Sequence, residues 1–503
     1  MKQLRHQIRR VGMLLCVLFA LLVLYGAYSL TNYGSRWFST GANTWLRSAK
    51  KDVVPGDIYD VNGVLLAGSL VTDTEDGFIA ARQYSSDPSV RRSVVHAVGD
   101  ADGNVANSIE TFKTRPLYGF DQSIAERVRD FVSGARRKGD SLTLTLDSAL
   151  SAYILNRLEA VKLPVDEEGT ATQTPAGAVV VMNWKTGAVL VELSYPTFDP
   201  ANLQTAARSS RQPYFNRATQ GMYAPGSTFK VVTASALLSD PQLSGRSFTC
   251  TGALEAAAGE GKTRLITDAG TDSAQGILVS HGQIDLRRAF MVSCNNTFAS
   301  AALQLTDAGL RRQAMDFGFD ANFLFRDIVL ENSSYPDTDR TEWEVAMTGI
   351  GQSGLLASPL HLCLIASSIA NGGTMMEPRL IARVTASDGT VRSGFEPQTA
   401  MKVLTDPAVA GTIRDYMYDT VNAAGGTGHA AALHGWNICG KTGSAEVDGQ
   451  ARTNALFIGF IDDEQAPYAV SIVLENAGSG GAYPASLAHD IFEYLVEHLQ
   501  NVG

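Results

Sequence analysis

The sequence predicts an α+β chain, an antiparallel sheet sandwiched by helices, carried behind one membrane-spanning helix and a small N-terminal module. Three observations lead there. Residues 11–30 run for twenty positions without a charge. At Leu142 the chain changes from polar and irregular to strongly patterned. Beyond that point two strand pairs, at 176–196 and 454–476, bracket a series of segments with helical spacing.

The first ten residues form a short tail carrying Lys2, Arg5, Arg9 and Arg10. The apolar run 11–30 that follows is long enough to cross a bilayer as one helix. Basic residues ahead of such a helix stay on the cytoplasmic side, which puts the rest of the chain outside. A cleaved signal peptide would have a shorter apolar core ending at a small-x-small site. Here the run ends Gly26-Ala27-Tyr28-Ser29-Leu30, so an uncleaved anchor is expected.

Residues 31–141 read as a small module. A polar stretch reaches about residue 51; then 53–69 looks like a strand, a turn at Asn62-Gly63 and a second strand. Residues 70–138 are polar with short apolar runs and predict irregular structure. Arg136-Arg137-Lys138-Gly139-Asp140 looks like a linker.

Residues 142–503 form the large domain. It opens with an alternating strand that turns helical after Asp147, a good helix cap. Residues 176–196 are two apolar strands joined at Lys185-Thr186-Gly187. Segments 227–238, 285–304 and 359–370 have helical spacing. Strands at 454–460 and 468–476 flank a turn at Asp462-Asp463, and a last helix covers about 485–499. No repeat of fixed period is present.

The 503 residues are 45% hydrophobic and 18% charged, ordinary values for a globular protein with a sizeable core. The formal net charge of −10 argues against general nucleic-acid binding, which needs a basic stripe. Of the five cysteines, Cys16 lies in the anchor. Cys250, Cys294, Cys363 and Cys439 form no CxxC pair and have no zinc spacing; they read as small buried thiols. The eight histidines form no metal-spaced cluster, and no metal or organic cofactor is implied.

Three segments carry candidate chemistry. In YAPGSTFKVV, Pro225-Gly226 breaks the chain ahead of a helix that starts at Ser227, and Lys230, three residues on, shares its face. A serine hydroxyl attacks poorly unless a base takes its proton, and a desolvated lysine can be that base. In MVSCNNTF, Ser293 and Asn295 put polar groups where a buried helix prefers aliphatics. In ICGKTGSAEV, a strand rich in small residues presents Lys441, Thr442, Gly443 and Ser444; the lysine and the threonine suit a carboxylate. Taken singly, the first segment reads better as a helix-cap serine with a snorkelling lysine, and the second as a cap or loop pair. Gly435-x-x-x-x-Gly440-Lys441-Thr442 also matches a phosphate-binding loop, but no buried strand precedes it and no helix pattern follows.

S-x-x-K, S-x-N and K-T-G in that order are the motif set of penicillin-binding proteins and class A β-lactamases. The chain resembles the class B penicillin-binding proteins, the monofunctional peptidoglycan D,D-transpeptidases. GAVVVMNWKTGAVLVELSYPTFDPANL, FNRATQGMYAPGSTFK, HGQIDLRRAFMVSCNNTFA and GIGQSGLLASPLHLCLIASSIANGG carry the likeness over roughly 142–500. PGDIYDVNG, VHAVGD and SIETFKTRPLYG extend it more weakly into a pedestal module. Two arginines usual in the pedestal motif are Pro55 and Val61 here, which puts that module's packing or partner contacts in question.

The resemblance implies the serine penicillin-recognising fold and a two-step acyl transfer. In it Ser227 attacks the penultimate D-alanine of a peptidoglycan stem peptide, Lys230 takes its proton, and Ser293 relays a proton to the leaving group. Asn295 holds substrate and Lys230. Lys441, Thr442, Gly443 and Ser444 bind the substrate, and the N–H groups of Ser227 and Ser444 hold the oxyanion. β-Lactams would acylate Ser227. A multi-span glycan polymerase is the implied partner, since 31–141 is too short for a glycosyltransferase domain. Rival readings are a β-lactamase or D,D-carboxypeptidase, a β-lactam receptor, and a catalytically silent scaffold. No E-x-x-L-N element lies between Asn295 and Lys441, only one membrane span is visible, and the three motifs are intact.

Overall fold

The computed structural model describes residues 2–38, 50, 53–75, 77–164, 172–270, 278–337, 339–404, 406–447, 449 and 452–499. The first helix, Lys2–Phe38, is longer than its apolar part. Within it Arg9–Ser29, 21 residues of mean hydropathy 2.4, is long and apolar enough to cross a membrane. The polar stretch expected up to residue 51 lies beyond 38 outside the described residues, apart from Lys50.

The centre of the large domain is a five-stranded antiparallel sheet. Its order is Ile438–Ala445, Asn454–Ile461, Tyr468–Leu474, Gly177–Asn183, Val189–Tyr195. Successive side chains of a strand face opposite ways, and here both faces are covered, so the strands read as continuous apolar runs. Val179, Val181, Phe457 and Ile472 join a core with Leu150, Ile154, Ile491 and Phe492 from the helices Ser148–Ala160 and Tyr483–His498. Ala178, Val180, Met182, Leu456 and Ile458 face the other way, onto a core shared with the helices Lys230–Ser239 and Pro359–Ala370. The latter is buried along its whole length, begins with a Ser358 cap and a proline at its first turn, and runs through the middle of the domain. Asp147 caps Ser148–Ala160 by accepting from the Leu150 N–H at 2.9 Å. The turn of the 177–195 hairpin is held by Asn183 Oδ1, which accepts from the N–H groups of Lys185 and Thr186, each at 3.0 Å.

A second, six-stranded sheet mixes distant parts of the chain. Its order is Val391–Gly394, Ile381–Thr385, Ser141–Leu144, Ile58–Tyr59, Leu65–Thr74, Gly77–Tyr84. The turn at Asn62-Gly63 is present: Asp60 Oδ1 accepts from the N–H groups of Asn62 and Val64, while Oδ2 accepts from the Ser148 hydroxyl at 2.7 Å. The fully buried Asp60 therefore ties the first hairpin to a helix of the large domain.

Residues 70–138 are more regular than their composition predicts. They complete a long hairpin and add the helices Pro88–Val98 and Ile124–Ser133. Polarity hid them: in Gly77–Tyr84 alternate residues stay exposed, and the buried Arg82 is neutralised by Glu110 at 2.5 Å. The expected linker at 136–140 is packed rather than free. A Cβ on Gly139 would stand 1.8 Å from the Leu117 carbonyl oxygen, and Lys138 pairs with Asp57 at 2.8 Å. Near Pro55, Arg82 donates to the Gly56 carbonyl at 2.8 Å and to Ser69 Oγ at 3.2 Å.

Candidate active site

The serine turn is wedged between two other segments. The backbones of Tyr223 and Ala357 exchange hydrogen bonds of 3.0 and 2.8 Å, and the Gly226 N–H donates to the Gly351 carbonyl at 2.9 Å. Gly226 (φ 52°) and Gly351 (φ 83°) both occupy the left-handed region. A Cβ on Gly351 would fall 2.0 Å from the Gly226 oxygen, so glycine is required there. The chain then makes one 3₁₀ turn, Gly226–Phe229, and continues as the helix Lys230–Ser239. Ser227 stands in the first turn, facing the cleft.

The second segment differs from the expected continuous helix over 285–304. A short helix, Leu286–Met291, capped by Asp285, stops, and a longer one begins at Asn295. Between them Ser293 is itself left-handed (φ 57°), an uncommon conformation for a side-chain-bearing residue and one that clusters at functional sites. The Cys294 N–H donates to the Ala289 carbonyl at 2.9 Å, closing this turn. Asp268 Oδ1 accepts from the N–H groups of Asn295 and Asn296, which satisfies the start of the second helix.

The third segment is the edge strand of the central sheet, Ile438–Ala445. Its glycines are contact points. A Cβ on Gly443 would meet the Thr228 side chain at 2.9 Å, and one on Gly440 would enter the Phe457 ring. The strand runs straight through Lys441-Thr442 and is followed by a turn and another strand, which is incompatible with a phosphate-binding loop.

Ser227, Ser293, Asn295, Thr442, Gly443 and Ser444 line one cleft of about 800 Å³, and Lys230 and Lys441 lie directly behind it, both fully buried. Lys230 Nζ donates to Asn295 Oδ1 and the Ser293 carbonyl, each at 2.8 Å, and approaches Ser293 Oγ at 3.2 Å. Lys441 Nζ reaches the same Ser293 Oγ at 2.9 Å. Aromatic faces floor both amines, Phe298 under Lys230 and Phe290 under Lys441. Burial lowers the Lys230 pKa to about 7, against weaker opposing pulls from Cys294 and Asp268. Lys441 is pushed well below the ordinary lysine range by burial and by Lys230 beside it. Two buried amines sharing one hydroxyl disfavour double protonation, so a proton can be passed between them through Ser293.

All eight residues singled out in the sequence thus lie in or against one cleft. Thr427, whose hydroxyl sits 2.6 Å from that of Thr442, was missed, as were Trp343 and Gln352, which also line the cleft. The Gly-Gly-Thr-Gly run around Thr427 marks only a loop; nothing local says that it folds back onto the strand. Cys250, Cys294, Cys363 and Cys439 are buried, free thiols.

Residues 177–493 match the family described as "Penicillin binding protein transpeptidase domain". The chain is 28% identical over 471 residues to the peptidoglycan D,D-transpeptidase PbpA of Mycobacterium tuberculosis, covering 86% of this chain and 88% of that protein. It is 26% identical to the peptidoglycan D,D-transpeptidase MrdA of Haemophilus influenzae, over 71% of this chain and 56% of that one. Among solved structures, penicillin-binding protein A from M. tuberculosis as its imipenem acyl-enzyme complex superposes with a TM-score of 0.75 at 25% identity, covering 89% of this chain and all of that one. The D,D-transpeptidase domain of a peptidoglycan glycosyltransferase from Eggerthella lenta gives 0.73 at 25% identity, over 90% and 100%.

Proposed function

Because the chain belongs to the penicillin-binding protein transpeptidase family, we infer that it is a serine-type peptidoglycan D,D-transpeptidase, class B in kind, which cross-links stem peptides and is acylated by β-lactams. Ser227 is the nucleophile. Its Oγ attacks the carbonyl of the penultimate D-alanine while its proton passes to the neutral amine of Lys230. The N–H groups of Ser227 and Ser444 hold the oxyanion, a contribution of several kcal/mol in such sites. The tetrahedral intermediate then expels D-alanine, whose nitrogen takes a proton through Ser293. An amine from a neighbouring stem attacks the acyl-enzyme, and Ser227 leaves with its proton restored.

One observation carries this reading: Ser293 Oγ lies within 3.2 Å of Lys230 Nζ and 2.9 Å of Lys441 Nζ, at the back of the cleft that Ser227 faces. Asn295 fixes the Lys230 amine. The hydroxyls of Thr442 and Thr427, side by side at the cleft, suit the terminal carboxylate of the donor peptide. That carboxylate also favours the charged form of Lys441, which burial and the neighbouring Lys230 disfavour. The glycines at 443 and 226 let strand and serine turn approach: a Cβ on Gly226 would meet the Ser444 oxygen at 2.6 Å.

The N-terminal helix anchors the enzyme in the membrane. Its basic start sets the tail in the cytoplasm and the catalytic domain outside. A multi-span glycan polymerase partners the anchor and the pedestal. Residues 1–10, 11–30, 31–141 and 142–503 serve as tail, anchor, pedestal and transpeptidase domain.

Labelling with a fluorescent penicillin tests the assignment. The wild type takes a covalent label at Ser227 and Ser227→Ala takes none. A label that survives the substitution refutes the nucleophile. Clearance of penicillin at many turnovers per second would make the chain a β-lactamase instead.

A further inference from the structure

Beside the cleft, behind the turn that carries Ser293, four side chains from four separate segments converge. Cys250 ends the strand Phe248–Cys250, and Asp268 follows the strand Thr263–Thr267. His281 precedes the strand Gly282–Ile284, which pairs with the first so that Gly282 stands opposite Cys250. Cys294 is the middle residue of the S-x-N motif. One donor atom from each lies within 4.8 Å of all the others. Asp268 Oδ2 is 3.0 Å from Cys250 Sγ, 3.4 Å from Cys294 Sγ and 3.3 Å from His281 Nδ1, and Cys250 Sγ is 3.4 Å from that Nδ1.

Tetrahedral zinc sites have bonds of about 2.3 Å to sulfur and about 2.0–2.2 Å to nitrogen and oxygen, so the edges of the donor tetrahedron are roughly 3.3–3.8 Å. These four separations fall at the short end of that range or just below it, and the remaining two, Cys250 to Cys294 and Cys294 to His281, are within 4.8 Å. Two thiols, one imidazole and one carboxylate oxygen form a borderline-soft set that suits zinc and is too sulfur-rich for magnesium or calcium. Cys250, Asp268 and Cys294 are buried and His281 is half-buried, which describes a closed structural site with no open position. Asp268 divides its oxygens between two tasks. Oδ1 takes the N–H groups of Asn295 and Asn296, and Oδ2 faces the other three donors. That arrangement already provides the ligand with its supporting hydrogen bonds.

The geometry points to a structural Zn²⁺ site formed by Cys250, Asp268, His281 and Cys294, which pins the turn holding Ser293 and Asn295. Binding displaces one proton from each thiol and leaves two thiolates, the carboxylate and a neutral imidazole on the ion. Among the described residues the strands Phe248–Cys250 and Gly282–Ile284 pair with each other, and the hairpin Ala253–Ala257 with Thr263–Thr267 forms a second two-stranded sheet, so the ion joins two small sheets to the turn. Cys294 lies between Ser293 and Asn295, the hydrogen-bond partners of Lys230, so the ion sets the position of those contacts without touching substrate. The four ligands are positioning residues.

Purified full-length protein in detergent, kept reduced, tests the site by elemental analysis. We expect about one zinc per chain. After removal by a chelator, Co²⁺ should restore stoichiometric binding, with thiolate-to-cobalt charge-transfer absorption and the visible bands of a tetrahedral ion. The rate of labelling by fluorescent penicillin should fall by about tenfold or more on removal of the metal, the scale of a displaced catalytic group, and should return with Zn²⁺. This labelling arm alone rests on the transpeptidase reading; metal content and the cobalt spectrum do not. In Cys250→Ser and His281→Ala proteins the equivalent of zinc should be lost or bind more weakly. Reduced wild type that takes up no zinc or cobalt overturns the site, as does stoichiometric metal retained unweakened in both variants. A Cys250–Cys294 disulfide as the form isolated under reducing conditions overturns it too.

Discussion

The strand Ile438–Ala445 divides two regions that are equally dry and built in opposite ways. Toward the interior of the sheet, burial is hydrocarbon: Phe457, Ile458, Ile472 and Val473 are fully covered, and removing them from water stabilises the fold. Behind the cleft, burial covers Lys230 and Lys441 equally, with Ser293, Asn295 and backbone oxygens as their hydrogen-bond partners and the rings of Phe298 and Phe290 beneath them. Desolvating an amine is costly, and the protein meets the cost by lowering the affinity of both for protons. The same physical quantity therefore yields stability in one region and reactivity in the other. The comparison predicts that substitutions will separate the two properties.

The largest expected separation is at Lys230. Lys230→Met keeps the length and apolar stem and deletes the amine. The rate of penicillin acylation should fall by about 10²–10⁴-fold, the contribution of a positioned base. Thermal stability should hold or rise, since a hydrophobic replacement for a buried charge is often neutral or stabilising. Wild-type acylation should also depend on pH in a way that the variant lacks. Because burial brings Lys230 to about 7, the free base grows as pH rises through 7, and the rate should climb to a plateau above it. A rate that keeps rising toward the ordinary lysine range near 10.5 would assign the base elsewhere. A variant that unfolds would show that the amine is structural and would break the comparison.

Phe492→Ala probes the other side. Phe492 lies in the helix Tyr483–His498, in the core on the far face of the sheet from the helix Lys230–Ser239. Its truncation should cost about 3–5 kcal/mol in denaturant unfolding. The rate of labelling per folded molecule should stay close to wild type. A labelling rate that fell with stability would mean that the two regions are one mechanical unit.

The same division governs how much of the molecule could be read from its residues. Gly177–Asn183 and Pro359–Ala370 are legible because burial on all sides leaves continuous apolar runs, and Asp147 and Ser358 cap their helices in sight of the sequence. The cleft was legible only through the order of three motifs, because each alone is indistinguishable from a cap or a packed strand. Contacts without a motif were not legible: Thr427 against Thr442, and Cys250, Asp268 and His281 around Cys294, meet across chain separations that no local pattern encodes. The pedestal falls between these cases. Asp87 ahead of Pro88, and Ser123 with Glu126 followed by Gly134, are complete helix-boundary signals. They were outweighed by exposed, polar faces, since Ile124–Ser133 buries none of its residues.

The smallest expected effect is at Glu192, where the apolar sheet carries an ionisable group of its own. Its carboxyl is buried in the strand Val189–Tyr195; Oε1 accepts from Asn216 Nδ2 at 2.7 Å, and Oε2 has no hydrogen-bond partner among the described residues. Burial raises its pKa from 4.5 to about 7, the reverse of its effect on Lys230, because the charged form of an acid is its deprotonated one. Between those two values the folded chain holds a proton that the unfolded chain has released. The stabilising contribution is therefore complete below about 4.5, is lost as pH rises toward 7, and changes no further above it. Glu192→Gln keeps an acceptor for Asn216 and removes the titration. Relative to wild type it should gain on the order of 1–3 kcal/mol in unfolding free energy as pH rises across that window. Equal pH slopes for the two proteins would show that Glu192 is solvated or paired in solution. The sheet would then contain no counterpart to the tuned amines of the cleft.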